Sequence, residues 1–423
     1  MFSQLNSGDQ LKPLVEEVEQ QVSEIHKQID ERIDFNQFRV LQSFQKHRVS
    51  DSHFMPSTGY GYDDIGRDTL ERIYADVFGG EAGLVRPQII SGTHAISIAL
   101  FGILRPGDEL LYMTGKPYDT LEEIVGIRGD GNGSLKEFGI SYDSVALTSE
   151  GGIDWQAVEK AIKPNTKMIG IQRSKGYATR PSFTVAEIGE MVRFVKEIKS
   201  DVVVFVDNCY GEFVEEQEPC HVGADLIAGS LIKNPGGGIA KTGGYLVGKQ
   251  EFVDACSYRM TSPGIGAEAG ASLYALQEMY QGFFMAPHIV GQALKGAVFT
   301  AAMLERCGMN SSPKWNVERT DLIQSVQFDD RDKMVAFCQA IQFASPINSH
   351  VTPYPSYMPG YEDDVIMAAG TFIQGASIEL TADGPTRPPY VAYVQGGLTY
   401  SHVKMAVCIA LDHMVTKGLV QLG

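Results

Sequence analysis

Leu11, Val15, Val18, Val22, Ile25, Ile29 and Ile33 recur at intervals of three and four, which predicts an amphipathic helix over residues 11–33. Such a helix either packs on its own domain or reaches a second subunit. Leu70, Ile73, Tyr74 and Val77 repeat the helical period, and Gly79 with Gly80 end that helix. Beyond it the pattern changes to short apolar runs separated by helical stretches. Strands are predicted at 85–90, 109–113, 145–148, 167–172, 202–206 and 226–228. Between them fall helices from His94 through Leu104 and at 118–125, 155–162 and 185–198. Strands that are continuous apolar runs, alternating with helices, predict an α/β protein with a mainly parallel sheet.

Helices at 269–284 and 290–306 follow, and the pattern then shifts. Strands at 321–328, 375–380 and 389–394, with helices at 334–343 and 401–417, predict a smaller α+β domain. The expected division is an N-terminal helical arm over 1–56, a large domain over 57–290 and a small C-terminal domain over 291–423. The Pro/Tyr-rich stretch 351–364 is expected to be an ordered loop over a site, since Tyr and Met are poor linker residues.

Composition narrows the function classes. The chain has 423 residues, 43% hydrophobic and 21% charged, ordinary values for a large globular protein. A net charge of −17 argues against nucleic-acid and anionic-membrane partners. The N-terminus, MFSQLNSGDQ, lacks a signal pattern, and the longest apolar run, 95–104, is too short to span a bilayer. The six cysteines (Cys209, Cys220, Cys256, Cys307, Cys338 and Cys408) have no CxxC spacing, so neither zinc nor a disulfide framework is expected. A cytoplasmic location suits all of this.

Candidate chemistry centres on DLIAGSLIKNPGGGIAKTGGYLVGK, residues 225–249. Lys233 follows a short buried strand and precedes a glycine run, where backbone can approach a ligand closely. A lysine amine can hold an aldehyde cofactor as a Schiff base when its surroundings lower its pKa. Pyridoxal phosphate also needs a carboxylate at its pyridine nitrogen, donors for its phosphate and an aromatic face over its ring. Asp207 ends the most buried strand, at the sheet edge where α/β folds bind ligands. Gly92 and Thr93, in a small polar turn opening a helix, can serve the phosphate together with Ser230. His94 is a catalytic, ring-stacking or helix-start residue, and Tyr118 is placed to cover the ring.

The segments SGTHA (91–95), KPYDT (116–120), VFVDNCYGE (204–212) and GSLIKNPGG (229–237) resemble the corresponding motifs of the Cys/Met-metabolism lyases. These are fold-type I pyridoxal phosphate enzymes such as cystathionine β-lyase and methionine γ-lyase. The likeness is strongest to their aluminium-resistance branch. In that family a neighbouring subunit completes the site through a Tyr/Arg-bearing loop. The similar segment here carries Tyr60 and Arg67, which the resemblance assigns to cofactor binding in a homodimer or homotetramer. Three departures stand out. Ile232 occupies a usual phosphate-binding Thr position, IQRSKGY (171–177) replaces a segment ending in Asn-Pro, and AYVQGGLTY lacks the arginine of the R-L-S-x-G motif. Arg387 in GPTRPPY is therefore expected to anchor the substrate α-carboxylate, with Arg173 and Arg180 as competing cations. The resemblance implies a carbon–sulfur lyase acting on a sulfur amino acid. Sulfur transfer, transamination, or a non-catalytic stress protein that keeps the fold are the alternatives.

Overall fold

The computed structural model describes residues 1–358 and 361–422. Residues 359–360 of the 351–364 loop therefore lie outside the described residues. The chain divides into two compact units, one of residues 36–285 and one of residues 1–35 with 286–423. The first 35 residues thus group with the C-terminal part, and the division falls at 285/286, slightly before the expected 290. Both crossings occur inside long helices, α1 (Gly8–Lys46) and, further on, Leu276–Arg306.

Residues 36–285 contain helices α2 (Ile65–Phe78), α3 (Gly92–Ile103), α4 (Leu121–Val125), α5 (Trp155–Ala161), α6 (Val185–Ile198) and α7 (Gln250–Met260). Their sheet has seven strands: β1 (Ala82–Arg86), β2 (Glu109–Tyr112), β3 (Ser141–Ser144), β4 (Thr166–Gln172), β5 (Val203–Asp207), β6 (Leu226–Ser230) and β7 (Gly244–Gly248). The order is β1-β7-β6-β5-β4-β2-β3, parallel except for β7, which runs against both its neighbours. The mainly parallel α/β sheet expected from the apolar runs is what forms. β5 shows why its sequence is apolar throughout. Val203 and Phe205 join the core around α3 and α7, while Val204 and Val206 are buried on the opposite face. Parallel pairing of β4, β5 and β6 puts Gln172 beside Asp207 and Asp207 beside Ala228, so three strand ends share one carboxyl edge.

The other unit holds a five-stranded antiparallel sheet of β8 (Asn310–Ser312), β9 (Gln324–Gln327), β10 (Val365–Ala368), β11 (Thr381–Pro385) and β12 (Val391–Gln395), ordered β10-β11-β12-β9-β8. Helix α8 (Leu276–Arg306) enters this unit, and α9 (Arg331–Phe343) and α10 (Tyr400–Thr416) complete it. The start of α1 is fixed within it by hydrogen bonds from Ser7 N to Asp412 and from Lys404 to Glu19.

Several elements differ from the sequence pattern for physical reasons. The glycine run hides β7, a central strand whose glycines are needed for packing. A Cβ at Gly248 would lie 2.2 Å from the Asp225 carbonyl oxygen, and one at Gly244 would lie 2.5 Å from Ile89. The predicted strand at 145–148 lies instead at Ser141–Ser144, an edge strand whose polar residues carry no apolar signal. The predicted strand at 375–380 begins only at Thr381. The break expected at His288 is absent, because α8 continues through Pro287 with Phe283, Ala286 and Val290 all buried.

Candidate active site

Helix α3 begins at the sheet's carboxyl edge. Ser91 caps it, its hydroxyl accepting the His94 N–H at 3.0 Å. Gly92 allows the first turn to come close to two other segments. A Cβ there would lie 3.1 Å from Cys209 Sγ and 3.4 Å from Ser230 Cβ. The turn after β1, the end of β5 and the end of β6 thus converge on one point, as the sequence motifs require. Ser230 is 1% exposed and its hydroxyl has no partner. A buried, unsatisfied hydroxyl beside a helix N-terminus is the arrangement a phosphate would complete. Thr93 lies at the same turn, its hydroxyl 3.3 Å from that of Thr120.

His94 has a structural task here. Its Nδ1 accepts the Ile90 N–H at 3.2 Å, closing the turn, and burial holds its pKa below the ordinary value. Tyr118 packs against Gly176, where a Cβ would approach its ring within 3.0 Å, and stands 6.1 Å from the Tyr177 ring. The IQRSKGY segment is therefore the wall behind the expected ring-covering tyrosine.

Asp207 is buried at the end of β5, and its Oδ1 accepts the Cys209 N–H at 3.1 Å. Burial raises its pKa, and the nearby charge of Lys233 opposes that rise. Lys233 follows β6, with Nζ 4.0 Å from the centre of the Tyr210 ring. Burial works against its charge, yet Cys209, Tyr210, Asp207 and Glu212 together hold its pKa above the ordinary lysine value. The protein alone does not lower the lysine pKa, contrary to the expectation from sequence. Lys241, the other lysine of the glycine-rich stretch, is exposed and ion-paired with Glu278.

The competing cations each hold partners within the chain, and the charge of Arg180 also acts on Asp207. Arg173 is fully buried, bonding Asn208 at 2.8 Å, Glu215 at 2.9 Å and Glu218 at 3.3 Å. Arg180 donates to the carbonyls of Gln172, Ser174 and Pro181, fastening the loop after β4. Arg67 is likewise buried, donating to the carbonyls of Gly61 and Gly270 and pairing with Asp68. It holds its loop in place and leaves Tyr60 and Tyr62 as the exposed groups, their rings stacked 5.2 Å apart. Arg387 lies in the other unit, in the turn before β12, paired with Asp363 at 3.0 Å and half exposed. Sequence reasoning missed Glu212. It stands inside the VDNCYGE motif, and its only signal was an acid within an apolar, glycine-punctuated stretch.

A family model for methionine gamma-lyase matches residues 11–415. The chain belongs to the methionine gamma-lyase family. An uncharacterized protein of Bacillus subtilis is 76% identical over 421 residues, 99% of this chain and 100% of that one. A solved structure of a carbon–sulfur lyase involved in aluminium resistance, from Clostridium novyi, is 48% identical with a TM-score of 0.93, covering 97% of this chain and 96% of that one. A pyridoxal-5'-phosphate dependent protein of Escherichia coli shares the fold at 16% identity, with a TM-score of 0.62, covering 92% of this chain and 97% of that one. The fold is thus that of the fold-type I enzymes, and the family resemblance seen in the sequence motifs holds. Among the described residues no helix is long and apolar enough to cross a membrane, and no cluster of three side chains is suited to a metal.

Proposed function

We propose that the protein is a pyridoxal phosphate-dependent carbon–sulfur lyase acting on a sulfur-containing amino acid, by β- or γ-elimination. The observation that carries this reading is the convergence of Lys233, Asp207 and the Gly92–Ser230 cradle at one sheet edge. When bound, the cofactor supplies an electron sink for the pair left on the substrate α-carbon. Asp207 would hold the proton on the ring nitrogen. Its raised pKa makes it a strong acceptor for that N–H, and a ring cation would offset the cost of its burial. The Gly92 and Thr93 N–H groups, with the Ser230 hydroxyl, would bind the phosphate. Tyr118 would cover the ring face. With the cofactor bound, Lys233 would take the α-proton as base, and its ammonium could pass a proton to the departing sulfur as the C–S bond breaks.

For the substrate α-carboxylate Arg387 is the proposed anchor, since its guanidinium fork matches a carboxylate in two-point contact. Its exposed pair with Asp363 is weak enough to exchange for another carboxylate. The substrate partner is a small amino acid, and a second copy of the chain is the proposed protein partner.

The test is a screen of sulfur amino acids with purified protein and cofactor, reading ammonia, keto acid and thiol. Release of all three supports the lyase. Amino exchange that depends on an added keto acid would replace it with a transaminase, and no turnover of any kind would leave a non-catalytic protein. In the same assay Arg387→Lys should raise KM steeply, and an unaltered KM would place the anchor elsewhere.

A further inference from the structure

Glu212 is fully buried, and the chemistry above does not use it. Its Oε1 accepts the Tyr245 hydroxyl at 2.8 Å, while its Oε2 has no partner. Its backbone carbonyl accepts the side-chain amide of Asn234 at 2.9 Å, which ties it to the residue next to Lys233. Gly229 makes room for it, since a Cβ there would stand 2.5 Å from both Glu212 Oε1 and the Tyr245 ring. The acid therefore occupies a built position.

The titratable groups acting on it come from every side: Tyr245 on β7, Tyr74 on α2, Glu218 and Cys209 beyond β5, and Lys233 after β6. Lys233 is the one cation of that set. Glu218 has its own partners, Arg173, Asn208 and the Phe213 N–H. Burial first, and then Glu218, push the Glu212 carboxyl up to about 8. Near neutral pH it is a carboxylic acid, and Lys233 is spared one anionic neighbour.

We propose that Glu212 is a positioning residue that governs the proton on Lys233. As a neutral acid it lets the lysine become an amine, and once ionised it holds the lysine as an ammonium. The inference rests on the reading of Lys233 as the cofactor lysine. Its consequence is a limit on the alkaline side. Losing one proton from the pair leaves it on either residue in a ratio that pH does not change, so the amine fraction stops growing once Glu212 begins to ionise.

The test uses the full chain stripped of cofactor and mixed with pyridoxal phosphate. The neutral amine of Lys233 condenses with the aldehyde and releases water, and the visible absorbance reports the rate. For the native protein the rate should climb about tenfold per pH unit and flatten near pH 8. Glu212→Gln should keep climbing and react roughly tenfold or more faster than native at about pH 9.5. Tyr245→Phe removes a donor that favours the carboxylate, so its flattening point should move to higher pH. This variant also carries the test if Glu212→Gln does not fold. Parallel profiles for native and Glu212→Gln, or an unmoved flattening point in Tyr245→Phe, would overturn the role of Glu212. Absence of absorbance from the native protein at every pH would instead overturn the reading of Lys233.

Discussion

At the scale of single residues, the chemistry depends on where each charge is placed. Asp207 ends a strand that is buried on both faces, so its carboxylate is fixed by the sheet rather than by a loop. Asp207→Asn keeps the shape and loses the charge that holds a ring proton. The variant should still bind cofactor but lose about thirtyfold or more in kcat, roughly 2 kcal/mol or above. Steady-state kinetics checks this, and a normal kcat in the Asn variant would remove Asp207 from that role. The placement of some candidates was legible in the sequence, as for Asp207 and Ser230 at strand ends and Lys233 just beyond one. That of others was not. Burial of Arg67 and Arg173 follows from partners distant in sequence, such as Gly270 for Arg67 and Glu218 for Arg173, and no local pattern announces it.

At the scale of elements, the start of α3 is shaped by the absence of a side chain at Gly92. Gly92→Ala would set a methyl 3.1 Å from Cys209 Sγ, tighter than ordinary contact, in the space proposed for the phosphate. Pyridoxal phosphate affinity should fall about tenfold, near 1.4 kcal/mol, with little change in the melting temperature of the cofactor-free protein. Equal affinity in a titration would count against the cradle. The middle of α1 supplies a pH effect. His26 has its pKa lowered to about 4, by burial first and then by the Lys295 charge, and its Nε2 meets the Lys295 carbonyl at 3.2 Å. Its folded value lies below the ordinary 6.5, so unfolding takes up a proton between those values. The neutral ring is compatible with folding above pH 6.5, and stability is lost as pH falls toward 4. The loss should reach roughly 2–3 kcal/mol and be absent in His26→Gln, as read by denaturant melts across that range. A native protein equally stable at both ends would contradict it. Helices with a strong period, such as Val185–Ile198, were readable to the residue. β3 and β7 were not, because a polar edge strand and a glycine-bounded central strand are defined by their neighbours rather than by their own residues.

At the scale of the whole molecule, the mainly parallel sheet and a smaller α+β part were legible from the change in apolar pattern, whereas the antiparallel order of the second sheet was not. The grouping of residues 1–35 with the C-terminal part was not, because an amphipathic helix does not state which surface it covers. The exposed Tyr60–Tyr62 stack, on a loop fastened by Arg67, is the surface proposed to meet a second copy. Tyr60→Asp with Tyr62→Asp should shift the protein toward monomer in sedimentation, and an unchanged assembly would place the interface elsewhere. The most direct measurement of the central claim is borohydride reduction of the purified protein with pyridoxal phosphate, followed by digestion and mass spectrometry. The reduced cofactor should be found covalently attached to Lys233, with Lys241 unlabelled. Label on Lys241, or on no lysine of the chain, would contradict it.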